Sequence, residues 1–248
     1  MTCYHIGLKR QFWAKYAILP GDPGRVEKIA SFLENPKKIA QNREYTTWMG
    51  ELAGEAVLVT STGIGGPSAA IAAEELYQVG VRAFIRVGTC GGMQPDVSRG
   101  DLVIPTAAVR MEGASHEYAP PEFPAAADFI LVSALARAAE TLRFPFHTGV
   151  VQSKDSFYGQ HDPSSSPVGE MLKEKWDAWL RLGVLASEME SAALFTVAAA
   201  RGMRAGCVLY TVWNQEAEDV HMDDAPPLSE EPAIRTAVEA LRIIIRTE

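Results

Sequence analysis

The sequence predicts a single α/β domain, three layers deep, with helices on both faces of a central mixed, largely parallel sheet. Three observations predict it. Short apolar, β-branched runs alternate with helical patterns from one end of the chain to the other. Apolar residues fill 47% of 248 positions, enough for a sizeable core, while charged residues at 22% are an ordinary surface. Nothing reads as a linker, so residues 1–248 form one domain.

The elements follow in order. Residues 16–19 (Tyr-Ala-Ile-Leu) read as a buried strand, followed by Gly21–Asp22–Pro23–Gly24 and helical spacing over 25–32. A strand at 56–61 leads through Gly63–Ile64–Gly65–Gly66–Pro67 into a helix over 68–79. That turn is G-x-G-x-x-S, not the dinucleotide fingerprint, and its proline removes a donor, so it reads as a tight strand-to-helix turn. Residues 83–87 form a third strand, ending in a Gly-rich turn at 88–92, and 101–107 a fourth. After irregular residues 111–127, Asp128 is placed to cap a helix over 129–142. A strand at 147–152 precedes a Ser-, Pro- and Gly-rich stretch at 158–167 and a helix over 173–182. Small residues at 190–201 read as a helix capped by Ser187 or Ser191. The last strand is 206–212, and an acidic, proline-containing stretch at 216–232 precedes a helix over 234–246. Long loops of this kind in a compact domain often bind or cover ligands.

Composition narrows the chemistry. A net charge of −8 argues against nucleic acid as a partner, although local arginines can still hold small anions. Cys3, Cys90 and Cys207 are odd in number and scattered, which fits a reducing compartment without disulfides or a zinc site. Neither a signal peptide nor an 18-residue apolar run is visible, so a cytoplasmic protein without a membrane span is expected. His5, His116, His147, His161 and His221 show no metal-ligand spacing, and no G-x-S-x-G elbow marks a serine hydrolase.

Arg25 and Arg86 each terminate a strand at a glycine turn, with Thr89 adding a hydroxyl. Ligands of open α/β sheets sit at such ends, and a convergent oxyanion site, phosphate first, is expected there. Glu188 and Glu190, around Met189, suit a ribose diol or, equally, a helix N-terminus. Asn214, Gln215 and Gln160 offer amides to a heterocycle edge, and Phe157 offers a ring face. Arg43 is open between a pair with Glu44 and a surface strand.

Seven motifs in order carry a family resemblance: GDPGRV at 21–26, REYTTW at 43–48, STGIGGPS at 61–68, RVGTCGG at 86–92, EFPAAADF at 122–129, FYGQ at 157–160 and EMESAAL at 188–194. The chain resembles the uridine phosphorylases of the nucleoside phosphorylase family, nearly end to end. The resemblance implies the reversible conversion of uridine and phosphate to uracil and ribose 1-phosphate, with phosphate as co-substrate and no organic cofactor. It implies that Gly21, Arg25, Arg86 and Thr89 hold phosphate, with Arg43 from a neighbouring subunit. His5, also from the neighbour, and Met189 and Glu190, with Glu188 nearby, would bind ribose. Phe157 and Gln160 would recognise uracil, and Arg86, Arg25, Arg43 and Gln160 would carry catalysis. A dimer with shared sites, assembled three times over into a hexamer, is implied, together with a monovalent cation such as K+ near Glu44, Ile64 and Ser68.

Two departures qualify the resemblance. Family members place an arginine just after the uracil-binding glutamine, where this chain reads His161–Asp162, and Gln215 replaces a second arginine. Lys154 or His161 is left to supply positive charge toward the base. Purine enzymes carry an aspartate where this chain has Asn214, which tells against purines. The alternatives are phosphorolysis of deoxyuridine, thymidine or a purine nucleoside, a phosphate-independent nucleosidase, and a non-catalytic nucleoside binder.

Overall fold

A computed structural model describes residues 2–214, 216 and 229–248. β1 (Tyr16–Pro20) is buried at every position, as an interior strand requires. It lies parallel between β4 (Glu55–Thr60) and β5 (Ala83–Gly92), with Ile18 opposite Val59 on one side and Ile85 on the other. β5 also pairs, parallel, along its whole length with β10 (Arg204–Asn214). β6 (Leu102–Met111) runs antiparallel to β10 and parallel to β8 (Phe146–Lys154). The short β9 (Ala186–Glu188) is parallel to β8 and antiparallel to the end of β5. β5, β10, β6, β8 and β9 therefore close on themselves, while β1 and β4 extend the sheet outward from β5. β7 (Ala125–Ala126) adds a short antiparallel bridge to β6.

Four strands were absent from the sequence expectation, the short β7 and β9 and two at the sheet's edge. β2 (Glu34–Asn42) and β3 (Tyr45–Leu52) form an antiparallel hairpin that pairs onto β4 at the sheet's edge. β2 is polar and mostly exposed, so it lacks the apolar run that marks the interior strands. Arg43 sits in the hairpin turn with φ of 54°, in the left-handed region. The Gly-rich segment at 88–92 is likewise strand and not turn. β10 and β9 cover both its edges, and a Cβ at Gly88 would lie 2.8 Å from Leu209, so only glycine fits the close approach. Arg86 thus lies inside β5, and Arg25 lies within α1 (Gly24–Ala30); neither terminates a strand.

The three layers are present. One face of the sheet packs against α2 (Gly66–Gln78) and α6 (Ser191–Arg201), the other against α1, α3 (Phe129–Leu142) and α7 (Glu231–Thr247). Asp128 caps α3 as expected, accepting the Leu131 N–H at 2.9 Å. α6 is different: neither Ser187 nor Ser191 caps it. Glu188 accepts the N–H groups of Glu190 and Ser191, and the Ser153 hydroxyl accepts that of Ala192. α4 (Tyr158–His161) and a 3-10 turn at Pro163–Ser165 occupy the expected loop at 158–167. α5 (Gly169–Arg181) closes that flank, burying Trp176 against Met93 and Val184. Of the acidic stretch at 216–232, residues 217–228 lie outside the described ones, and Glu231 and Pro232 already belong to α7.

Candidate active site

A cavity of about 660 Å3 opens where β1 passes into α1 and where β5 meets β9 and α6. Gly21, Arg25, Arg86 and Thr89 line one end of it. Arg86 is 4% exposed and contributes an unusual set of atoms. Its Nη2 donates to Glu190 and its Nε lies 3.6 Å from Glu188. Yet Nε and Nη1 are buried without a hydrogen-bond partner. A buried guanidinium in the cavity wall with donors short of hydrogen-bond partners suits an anion. Burial works against its charge, but the two carboxylates outweigh that and raise its pKa. Arg25, opposite, pairs with Glu230 at 2.5 Å.

The two glutamates of the 188–194 motif divide the roles that the sequence left open. Both oxygens of Glu188 are occupied by Ser153 Oγ and the backbone of Glu190 and Ser191. It is the helix cap. Burial raises its pKa, Arg86 opposes that, and Glu190 adds to it. Glu190 lines the cavity as Glu188 does, but is bound to Arg86 and to the Gly65 N–H. Gly65 can point its N–H inward because its φ of 90° is open to glycine. Met189, half-buried, lines the cavity between the two acids.

Aromatic rings form the far end. His161 packs between Phe157, with ring centres 4.3 Å apart, and Trp213, at 5.3 Å. Lys154 reaches in from the end of β8, its ammonium 5.7 Å from the centre of the Phe157 ring. Burial lowers the Lys154 pKa to about 8, with Glu188 pulling the other way. Burial, and then the Lys154 charge, lower that of His161 to about 4, so the imidazole is neutral at neutral pH. Between these ends, Ser68 Oγ meets Glu44 Oε1 at 2.9 Å, with Ile64 exposed beside them.

One cavity thus joins an anion end, a carboxylate middle and an aromatic end. A family model for the phosphorylase superfamily matches residues 15–247. The chain belongs to the phosphorylase superfamily. Similar superfamily members include a uridine phosphorylase from Treponema pallidum, 52% identical over 98% of this chain and 94% of its own length. Another, from Salmonella typhimurium, is 44% identical over 98% of both chains. A guanosine phosphorylase from Halorubrum lacusprofundi is 39% identical over 92% of this chain and 90% of its own.

Against that superfamily background, four of the expected residues stand apart from the cavity. Arg43 is exposed on the β2–β3 turn. His5 lines a second cavity, with its Nδ1 bonded to Glu75 at 2.9 Å. Gln160 lies behind the wall, donating to Gln152 and accepting from Ser187. The Asn214 amide donates to the carbonyls of Gln94 and Val97 and accepts the Glu216 N–H. Gln215 lies outside the described residues. Conversely, Ser153, Trp213 and Glu230 are at the site without having been singled out. Glu230 belonged to a run with too many acids to distinguish one, and nothing in the local pattern marks Ser153.

Proposed function

We propose that this chain catalyses the reversible phosphorolysis of uridine to uracil and ribose 1-phosphate. One observation carries the reading: the idle, buried Nε and Nη1 of Arg86 in the cavity wall beside Arg25 and Thr89. A tetrahedral oxyanion suits those donors, and the names of the relatives favour uridine as the nucleoside. Phosphate would rest on Gly21, Arg25, Arg86 and Thr89, ribose against Met189 and Glu190, and the base against Phe157.

The reaction needs no protein nucleophile. A phosphate oxygen bonds to C1′ as the C1′–N1 bond breaks, and its electron pair leaves on the base. The transition state has oxocarbenium character, as in glycoside cleavage. Arg25 and Arg86 hold phosphate in line with that bond, and such positioning is worth about 7–11 kcal/mol. Glu190, held by Arg86 and the Gly65 N–H, would accept from the ribose hydroxyls.

Arg43 and His5 belong, in this reading, to the neighbouring site of a dimer, three of which build the hexamer. Their place away from the chain's own cavity supports it. The oxygens of Glu44, Ser68 and the Ile64 carbonyl are the donor class that suits a monovalent cation, which would order the turn and take no part in bond making. Three buried free cysteines support a cytoplasmic site, and no helix among the described residues is long and apolar enough to cross a membrane.

Absorbance-monitored cleavage of uridine, thymidine, inosine and guanosine, each with and without phosphate, tests the proposal. Phosphate-dependent loss of uridine, with the purines inert, is the expected result. Purine cleavage overturns the base assignment, and cleavage without phosphate makes the enzyme a hydrolase.

A further inference from the structure

We infer that Trp176 is the wall that fits the base end of the cavity to a single six-membered ring, so that pyrimidine nucleosides enter and purine nucleosides are excluded by size. The inference rests on the uridine reading of this cavity and names the residue that limits the base.

The indole stands between two spaces. It lines the main cavity, as Phe157, His161 and Trp213 do, and it also lines a separate cavity of about 70 Å3 with Gln160, Leu172 and Asp177. Trp176 is therefore a partition, and a smaller side chain at this position would let the two spaces run together.

Several contacts hold the partition in place. Met93 and Val184 pack against the side chain, which is 9% exposed, and its Nε1 donates to Glu216 Oε1 at 2.8 Å. Glu216 is set in turn by Asn214, whose Oδ1 accepts the Glu216 N–H while its Nδ2 donates to the carbonyls of Gln94 and Val97. The sequence rested its case against purines on Asn214, but that amide is spent on backbone. Its part in the choice of base runs through Glu216 to the indole.

A purine carries a second fused ring. A close-packed wall resists displacement, and forcing extra atoms against it costs free energy. One methylene in an apolar pocket already discriminates about 10–200-fold, and a fused ring is a larger misfit.

Room and chemistry are separated by using inosine as a competitive inhibitor of uridine cleavage at saturating phosphate. The comparison takes wild type, Trp176→Leu, which opens the partition, and Trp176→Phe, which keeps one ring but cannot bond to Glu216. We expect the ratio of the inosine Ki to the uridine KM to fall at least about tenfold in Trp176→Leu and by a smaller factor in Trp176→Phe. The KM for phosphate, bound at the other end, stays within about threefold of wild type. A ratio that Trp176→Leu leaves unchanged overturns the inference. Wild-type enzyme that leaves uridine intact in phosphate overturns the uridine reading instead. Thermal melting identifies a misfolded Trp176→Leu, in which case the ratio in Trp176→Phe decides.

Discussion

Removing Arg86 would strip the counter-charge from two buried carboxylates as well as the donors from the anion end. Breaking a buried pair by deleting one partner typically costs about 3–5 kcal/mol. Arg86→Ala should therefore lose turnover and stability together, while Arg86→Lys retains more stability but loses the fork that grips an oxyanion. The sign with pH follows from Glu188, whose folded-state pKa is already raised by burial. Without Arg86 it rises further, so the folded state binds more protons than the unfolded chain as pH falls. The deficit relative to wild type is thus largest at and above neutral pH and narrows on acidification. Urea unfolding at pH 5 and pH 7.5 measures it, and a deficit independent of pH would contradict the account. At this scale the motifs placed Arg86, Glu188 and Glu190 at the site. They did not separate the two acids, because spacing says nothing about which carboxylate is filled by backbone N–H groups. Ser153, which arrives from elsewhere in the chain, and the local turn into α6 decide that.

At the scale of elements, the start of α7 has a part in the anion end that its amphipathic pattern does not announce. Glu230 holds Arg25 before any phosphate arrives, with both side chains partly exposed. Glu230→Gln should free Arg25 and lower the KM for phosphate about two- to fivefold, the range of a partly exposed pair. Melting temperature should hardly move, and an unchanged or higher KM would show that the pair does not compete with phosphate. The long helices were legible because their buried residues recur at helical spacing, as Ile234, Val238 and Leu241 do in α7. The β2–β3 hairpin was not, since a polar edge strand carries no burial pattern. The end of β5 misled for a different reason: glycines that usually mark a turn here let one strand pass close to Leu209.

For the whole molecule, the position of Arg43 and His5 outside the cavity makes a mixing experiment informative. In a dimer that shares its sites, Arg25→Ala and Arg43→Ala each disable every site when pure. Co-expressed, they form hybrids with one intact site, and about a quarter of wild-type activity should return for random pairing. Activity no greater than the sum of the separate variants would place Arg43 outside catalysis or within its own chain's site. The alternation of strands and helices was enough for the α/β class. The closure of β5, β10, β6, β8 and β9 was not legible, because it depends on the three-residue β9 bridging strands far apart in sequence.

That closure leaves β5 bonded along both edges, by β1 and β9 on one side and β10 on the other. Segments so enclosed open only when the whole domain does. Arg86 and Thr89 therefore ride on what should be the slowest-exchanging backbone amides in deuterium, while the 158–167 segment exchanges quickly. A chain frayed at its margins would keep its grip on phosphate until the last cooperative unit gives way.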